Sequence, residues 1–391
     1  MSANESPPLT GNGPWACIDQ SSIGHNLTWL RRRLAPNLKP YAPTPKIWAV
    51  VKADAYGHGL AHAIEALAQA DGISVAELND ALHVRKLGWT RPILLLSQAG
   101  VSVNALRDPT LGELHIAVDD AAVLEHLESA PTPLSQVHAW LRYAGQLRSH
   151  GFDSAEYAPA FHRLQSLVHR GILTAAGHLH HYAASEDPAA LDLERRGFAA
   201  VTEGLPGPHC TGNSAALCGD AAVPIHHAGQ WLRCGLLLYG ASALPGRTGA
   251  ELGLRPAMSL RARLLAVRRV AAGQSVGYGE SFRAARDTCI GVVGIGYGHG
   301  LPRDLWRHGH LLAGHGGRPV PLAGRVAMDC LTVDLGPQPV ERPGDIMTVW
   351  GRAPGGAALA VEAAAQACGT IAAELLTGLT RRVPVIALKE G

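Results

Sequence analysis

The sequence lacks the cysteine patterns of disulfide-rich and zinc-binding proteins. It has seven cysteines, an odd number, and no two of them form a C-x-x-C pair. Small secreted domains held by disulfides carry even sets of cysteines, and cysteine zinc sites need paired spacings. We therefore expect reduced, buried thiols, at positions 17, 210, 218, 234, 289, 330 and 368.

Long apolar runs and a dominant charge are also missing. No uninterrupted apolar span is long enough to cross a bilayer, and residues 1–20 lack the basic region and apolar stretch of a signal peptide. The 34 basic and 32 acidic side chains nearly cancel, which argues against nucleic acid or an anionic membrane as a partner. We expect a cytoplasmic protein with neither of these partners.

Metal-binding spacings are absent as well, although histidine is abundant. The 20 histidines cluster in GHLHHYAA, PIHHAG and RHGHLLAGHGG, at 177–184, 224–229 and 307–317. Ligands to a metal must converge from a known spacing such as H-E-x-x-H, and the sequence contains none. We expect no metal, and surface or packing roles for most of these histidines.

A repeated strand and helix pattern fills the first part of the chain. From about residue 20 to 240, short apolar runs alternate with helical patterns some eight times, which is typical of a parallel (β/α)8 barrel of the α/β class. Active-site groups of such barrels lie at the C-terminal strand ends. The predicted strands cover 47–52, 72–77, 92–98, 114–120, 137–142, 175–183, 208–213 and 231–240, and the predicted helices 61–70, 79–88, 121–130, 157–171 and 190–204.

The pattern changes near residue 250, where a second domain is expected. Strand-like segments such as 259–270 and many glycine turns follow, with one good helix within 361–379. This texture indicates a mainly β domain. We predict a barrel over 15–248 and a β domain over 249–391, with the N-terminal arm 1–14 packed near the latter.

Lysine 52 ends a buried strand. In IWAVVKADAYGHG, residues 47–51 are five apolar residues without alternation, the pattern of a strand covered on both faces. An ammonium that loses solvent where such a strand leaves the core favours its neutral form, which makes Lys52 a candidate Schiff-base or general-base lysine. Taken alone, this segment favours the simpler interpretation, a lysine that extends to solvent from the strand end.

Several further segments, in order along the chain, carry a family resemblance. AVVKADAYGHG, HHYAASED, TGNSAA, LRCGLLLYG, SVGYGESF, IGYGHGLPR, GRVAMDCLTVDLG and GTIAAELL with RRVP resemble successive motifs of the alanine racemase family, and the likeness covers nearly the whole chain. It implies an eight-stranded barrel with a C-terminal β domain, a head-to-tail homodimer and the cofactor pyridoxal 5'-phosphate.

The resemblance also implies roles for individual residues. Lys52 would bind the cofactor covalently and act as one base, and Tyr278 of the partner subunit would be the second. Arg233 would face the pyridine nitrogen, where a fixed positive charge disfavours protonation of the ring and weakens it as an electron sink. The cofactor-binding set would comprise Lys52, Tyr56, His181, Ser214, Arg233, Gly235 and Leu236, with His181 and Arg233 supplying charge or hydrogen bonds to the Tyr278 phenol.

The amino-acid substrate would meet residues from both domains. Arg148, Met328 and Asp329 match its binding segments, and Tyr297, Arg303 and Arg325 match an entry corridor. Three positions depart from the family pattern. Arg142 stands where a carbamylated lysine is usual, Ala373 replaces a tyrosine, and His299 replaces an acid. In the altered segment around Arg142, a shift of one residue would put Ser149 in the place of Arg148.

Four functions remain open at this point. An alanine racemase that supplies D-alanine for peptidoglycan is the first, and a racemase of broader specificity, for serine among others, is the second because Ala373 opens space. A decarboxylase of similar fold is the third, against which Arg233 and Tyr278 argue. A non-catalytic carrier of the cofactor is the fourth, but such proteins resemble the barrel alone.

Overall fold

The structure of the chain is a computed structural model. It describes residues 13–34, 44–97, 101–134, 136–219 and 229–388. Most of the predicted N-terminal arm and of the PIHHAG segment lies outside these residues, so their predicted placement stays a prediction.

Eight parallel strands close into a barrel in chain order, as predicted. Each pairs with the next, and the last pairs with the first through residues such as Trp48 and Arg233. The barrel strands are β2 Lys46–Val50, β3 Gly72–Val75, β4 Ile93–Leu95, β5 Leu114–Val118, β6 Val137–Tyr143, β7 Ala175–His180, β8 His209–Thr211 and β9 Trp231–Cys234.

Helices cover the barrel between its strands. Their starts follow from capping: the Asp187 carboxylate accepts a hydrogen bond from the Ala189 amide at 2.8 Å, and Pro188 takes the first helical position, where no amide donor is needed. The helical segments are α1 Gln20–Leu34, α2 Lys52–Gly57, α3 Leu60–Ala66, α4 Leu78–Lys86, α5 Ala121–Glu128, α6 Tyr157–His169, α7 Pro188–Thr202, α8 Ser214–Cys218, α9 Val361–Cys368 and α10 Ala372–Thr377.

The barrel interior is filled by large side chains. Where two tryptophan rings cross the lumen, the neighbouring strands carry glycine: a Cβ on Gly72 would lie 2.1 Å from the Trp48 ring, and one on Gly177 would lie 2.8 Å from the Trp140 ring. Packing therefore fixes which residues of each strand face inward. The inward cluster is Trp48, Leu94, Ala117, Trp140, Leu179, Cys210 and Trp231.

The second domain is built on a nine-stranded sheet, which confirms the mainly β prediction. The long strand β10 is its centre and pairs with β1, β13 and β17. Outside the barrel, the strands are β1 Trp15–Ile18, β10 Met258–Val270, β11 Ser275–Val276, β12 Phe282–Arg283, β13 Thr288–Val293, β14 His310–Ala313, β15 Arg318–Pro321, β16 Leu331–Gly336, β17 Ile346–Arg352, β18 Ala358–Leu359 and β19 Val385–Ala387.

Three segments differ from the sequence-based assignment. Residues Leu236–Tyr239, predicted as the end of the last barrel strand, form a 3-10 helix. Residues 15–18, assigned to the barrel segment, form β1, which lies between β10 and β19 of the second sheet. The single helix predicted within 361–379 is divided into α9 and α10, because Gly369 takes a left-handed conformation (φ 69°) and ends the first of them.

Two further predictions concern cysteines and membranes. All seven cysteines lie in the described part of the chain, and none of them forms a disulfide there. Five are buried as predicted, whereas Cys330 and Cys368 are half-buried. Among the described helices, none combines the length and the hydropathy needed to span a bilayer.

Candidate active site

Five titratable side chains from five barrel positions meet at the C-terminal mouth. Side chains alternate along a strand, so residues two positions beyond the inward cluster also face inward. Arg142 and Arg233 lie two positions after Trp140 and Trp231, Asp119 and His181 two after Ala117 and Leu179, and Lys52 four after Trp48. The alternation therefore brings three cations, one carboxyl group and one imidazole together.

Lys52 lies at the open mouth, beside two guanidinium groups. The side chain is exposed, yet neighbouring atoms displace part of its solvent. This desolvation, followed by the positive charges of Arg233 and Arg142, lowers the pKa of Lys52 below its ordinary value. A larger fraction of the amine is therefore neutral, and so nucleophilic and basic, near neutral pH.

The chain leaves Lys52 through a left-handed turn. Residues 53–56 have φ between 51° and 55°, a conformation that costs a side-chain-bearing residue roughly 1–2 kcal/mol. Hydrogen bonds stabilise it: the Leu60 amide donates to the Asp54 carboxylate at 2.7 Å, and the Gly59 amide donates to the Asp54 carbonyl at 3.0 Å. The turn directs the Tyr56 side chain towards Gly235 on the neighbouring strand end.

Arg233 is held by protein acceptors. It is buried, and its Nη1 donates to the carbonyl and to the Sγ of Cys210, both at 3.0 Å. Its Nη2 donates to the His180 carbonyl at 2.6 Å and to Nδ1 of His181 at 3.3 Å. These four contacts fix the guanidinium plane at the mouth and occupy most of its donors.

His181 is a neutral ring. Burial and the charges of Arg233, Arg142 and Lys52 lower the pKa of His181 to about 3. Because Nδ1 accepts from Arg233, the ring proton is on Nε2. Of the two contributions expected from His181, positive charge or hydrogen bonds, this geometry supports only hydrogen bonding.

A small polar niche lies between α2, α8 and the end of β9. The Gly235 amide donates to Ser214 Oγ at 3.3 Å, and a Cβ on Gly235 would lie 2.5 Å from the Tyr56 hydroxyl. No described residue accepts or donates a hydrogen bond at that hydroxyl, and burial raises the pKa of Tyr56 to about 12, so it remains a donor. Hydroxyl and backbone amide donors gathered around a glycine are suited to bind a phosphate group.

Arg142, rather than Arg148, joins the mouth. No described residue accepts a hydrogen bond from the Arg142 guanidinium, and its Nε is buried without a partner. Burial, and then the charge of Arg233, lowers the pKa of Arg142, while Asp119 opposes the shift. Arg148 and Ser149 are exposed on the loop after β6, and Arg148 has a left-handed backbone (φ 53°).

Tyr278, Met328 and Asp329 lie on the surface of the second domain. Tyr278 is 69% exposed at the tip of the β11–β12 hairpin, and Met328 is 54% exposed. The Asp329 carboxylate accepts from Arg382 at 2.6 Å, and Gly279 of the hairpin packs on Arg325. Among the described residues, Tyr278 has no hydrogen bond or ring contact with the barrel, so a single chain does not bring it to Lys52.

Three side chains at the opposite end of the barrel are close enough to bind a metal ion, but their hydrogen bonds make them unsuited to it. Glu113, His115 and His138 offer ligand atoms within 4.8 Å of one another. However, Nδ1 of His115 accepts from the Trp140 indole at 2.8 Å, and an indole can only donate. The His115 proton is therefore on Nε2, which faces Glu113 at 3.0 Å and has no lone pair for a metal.

Comparison with known proteins agrees with both domains. Residues 18–243 match the family model "Alanine racemase, N-terminal domain" and residues 257–387 match "Alanine racemase, C-terminal domain". The chain belongs to the alanine racemase family. The alanine racemase of Bordetella avium is 37% identical over 95% of this chain and 98% of its own, and that of Shewanella amazonensis is 40% identical over 90% and 96%. The biosynthetic alanine racemase of Pseudomonas aeruginosa has a similar structure, with a TM-score of 0.83 at 35% identity over 96% of this chain and 99% of that one.

Two of the positions that depart from the pattern of the alanine racemase family, Ala373 and His299, have local contacts of their own. Ala373 is part of α10, which packs on the turn after Lys52: a Cβ on Gly57 would lie 2.2 Å from the Leu376 carbonyl. His299 is buried, and its Nδ1 accepts from the Gly296 amide at 3.1 Å. The His299 ring therefore contacts the backbone, and the Ala373 side chain packs against the hydrophobic core.

Sequence reasoning missed three residues near these cations. Asp119, Cys210 and Glu194 have no motif of their own, but the first two follow from inward alternation once the barrel strands are assigned. Glu194 is in the interior of α7, where a glutamate is ordinarily exposed, and no sequence signal indicates that it is buried.

Proposed function

We propose that the protein is an alanine racemase that interconverts L-alanine and D-alanine with pyridoxal 5'-phosphate, as a homodimer. The observation that carries the proposal is the position of Lys52, whose pKa is lowered at the barrel mouth beside Arg233 and Arg142. The neutral His181 behind Arg233, and the hydroxyl and amide donors gathered at Gly235, support it.

The described residues fit the cofactor. The Tyr56 hydroxyl, Ser214 and the amides of Gly235 and Leu236 would hold its phosphate, Arg233 would face its ring nitrogen, and Lys52 would bind it covalently. When bound, pyridoxal phosphate withdraws electrons from the substrate α-carbon and so makes the α-hydrogen acidic. The fixed guanidinium of Arg233 limits that withdrawal, which favours proton exchange over other reactions of the same cofactor.

Racemisation needs a proton acceptor on one face of the α-carbon and a donor on the other. Lys52 Nζ takes or gives the proton on one face, and its lowered pKa suits it to both tasks near neutral pH. The Tyr278 hydroxyl of a second chain serves the opposite face. This assignment is supported by the exposure of Tyr278 and by its lack of barrel contacts within the described part of its own chain.

Arg142 would bind the substrate carboxylate. Arg233 already donates to protein acceptors, and Lys52 is the reacting amine. Arg142 has free donors at the same mouth, so we assign it the role that sequence analysis gave to Arg148. A guanidinium matches a carboxylate with two parallel hydrogen bonds.

The homodimer would complete each site. Tyr278, Met328 and Asp329 lie on one domain surface, and Tyr297, also exposed, accompanies them. A partner chain placed over the barrel mouth would cover these residues and exclude water from Lys52. The D-alanine formed would supply peptidoglycan synthesis in the cytoplasm, as the family resemblance implies.

Direct conversion tests the proposal. Purified protein, loaded with pyridoxal phosphate, should convert L-alanine into D-alanine and the reverse, as measured by chiral chromatography, and the Lys52→Ala variant should be inactive. Borohydride reduction followed by peptide mapping should label Lys52. Turnover of L-alanine to ethylamine and carbon dioxide without racemisation, or no turnover of alanine by a fully loaded protein, would contradict the assignment.

A further inference from the structure

His180 and Glu194 form a buried pair behind the active-site mouth. The ring Nε2 of His180 lies 2.7 Å from Oε2 of Glu194, and both side chains are almost fully buried, at 0% and 2% exposure. The two residues come from β7 and α7, so the pair lies between the barrel and its helical layer, on the opposite face of β7 from His181. The roles assigned above do not use it.

Both ring nitrogens of His180 face hydrogen-bond acceptors. Nε2 meets the Glu194 carboxylate, and Nδ1 meets the Tyr143 carbonyl at 3.3 Å. A ring that donates from both nitrogens carries a proton on each and is positively charged. Three aromatic rings surround it, those of Tyr143, Tyr182 and Phe198, with centroids at 5.1, 5.1 and 5.3 Å, which is a favourable environment for a buried cation.

Glu194 links this cation to two loops of the mouth. Its Oε1 accepts from the Ala183 amide at 2.6 Å, and its Oε2 accepts from the Gln146 amide at 3.5 Å. The hydrogen bonds from His180 and from these amides lower the pKa of Glu194 although burial alone raises it, so the group is a carboxylate. Gly145 lets the loop approach, because a Cβ there would lie 2.3 Å from the His180 ring.

We propose that His180 and Glu194 are a positioning pair, an imidazolium–carboxylate contact that fixes the loops after β6 and β7 and thereby sets the place of Arg233 and His181. This role rests on the proposed function, because Arg233 and His181 are the groups predicted to bind the cofactor. The His180 carbonyl accepts directly from Arg233, and His181 is the next residue. Movement of His180 therefore displaces both Arg233 and His181, the two residues predicted to bind the cofactor at this point.

The pair is also stiff for an energetic reason. A buried charge cannot exchange its partner for water, so its geometry is held more tightly than that of a surface ion pair. Loss of one partner leaves the other charge buried without compensation, and the two loops then lose their common anchor.

Glu194→Gln tests the proposal in the full-length protein, with Asp192→Asn as control. Asp192 lies on the same helix, is exposed and pairs with Arg196, so the control removes the same charge from the same element. Hydrogen–deuterium exchange with mass spectrometry should rise about tenfold in peptides covering 144–151 and 181–184 of the Glu194→Gln protein, the change expected from one lost charged hydrogen bond. The dissociation constant of pyridoxal phosphate, from equilibrium dialysis, should rise by a similar factor.

A joint substitution separates positioning from stability. His180→Leu with Glu194→Leu restores apolar packing, which often preserves stability, but leaves the Ala183 and Gln146 amides without their acceptor. Faster loop exchange and weaker cofactor binding in this folded double variant support positioning. Unchanged exchange and cofactor affinity in either variant overturn it, even where the melting temperature falls. The exchange measurement on cofactor-free protein needs no racemase activity, so failure of the proposed function would be seen separately.

Discussion

At the scale of single residues, the barrel mouth is a concentration of positive charge. After burial, the charges of Arg233 and Arg142 lower the pKa of Lys52, and the charge of Arg233 lowers the pKa of Arg142. The Asp119 carboxyl group opposes the shift of Arg142. Burial raises the pKa of Asp119, with Arg142 acting in the opposite direction. The mouth therefore carries excess positive charge, which suits a ligand with a phosphate and a carboxylate.

The first prediction concerns the reactivity of Lys52 in cofactor-free protein. An ordinary lysine titrates near pH 10.4, and partial desolvation with two nearby guanidinium groups should move Lys52 below that value. Trace acetylation at a series of pH values, read by mass spectrometry, should find Lys52 half-reactive at a lower pH than Lys86, an exposed lysine on α4. Half-reaction at the same pH would contradict the electrostatic description of the mouth.

The second prediction separates the two candidate arginines. Arg142→Gln should raise KM for alanine by roughly 10- to 100-fold, because one charged hydrogen bond to the carboxylate is lost. Arg148→Gln changes the same charge on the exposed rim and should alter KM by less than about threefold. Steady-state kinetics of the loaded enzymes measures both, and a larger effect at Arg148 would return the substrate role to that residue.

Sequence predicts some of these residues and not others for a physical reason. Lys52, Arg233 and Gly235 lie at strand ends whose apolar pattern fixes their direction. Arg142 lies on β6 and Arg148 lies beyond its end. Which arginine reaches the mouth therefore depends on where β6 ends and on the left-handed backbone at Arg148. Local sequence does not encode the end of a strand that is decided by packing against the next loop.

At the scale of elements, the turn after Lys52 is unusual because four consecutive residues are left-handed and none is glycine. Tertiary contacts must offset that cost, and α10 supplies some of them by packing against Gly57. The strain keeps Lys52 and Tyr56 at a fixed separation on the same turn.

The third prediction follows from this backbone. Ala53→Gly should stabilise the protein by about 0.5–1 kcal/mol, because glycine removes a left-handed penalty of roughly 1–2 kcal/mol and loses part of the gain to chain entropy. The same substitution at Ala61, an exposed position in the right-handed helix α3, should destabilise by about 0.5–1 kcal/mol. Urea unfolding of the cofactor-free variants measures both; equal signs at the two positions would refute the argument.

Elements with a strong apolar pattern were predictable, and those decided by distant contacts were not. Seven barrel strands and five of the covering helices coincide with the sequence patterns within a few residues, whereas the eighth strand, predicted over 231–240, ends at Cys234. Strand β1 joins the second sheet by pairing with β10 and β19, and both of these strands lie more than 200 residues away in sequence. No local signal distinguishes such a strand from one in the barrel.

At the scale of the whole molecule, the two proposed bases lie on different domains. Lys52 is at the barrel mouth, whereas Tyr278 projects from a hairpin whose contacts are with Arg325 and its neighbours in the second domain. A two-fold arrangement of chains that brings each hairpin to the other barrel would form two identical sites.

The last prediction tests this shared site by subunit exchange. Lys52→Ala and Tyr278→Phe proteins should each be nearly inactive as pure dimers. A mixed dimer has one site with both lesions and one with neither, and random pairing makes about half of the dimers mixed, so about a quarter of the wild-type sites should be recovered. If both bases came from one chain, every site in a mixed dimer would retain a lesion. Racemase activity that stays at background, after native mass spectrometry has confirmed that the chains exchanged, would therefore rule out a site shared between subunits.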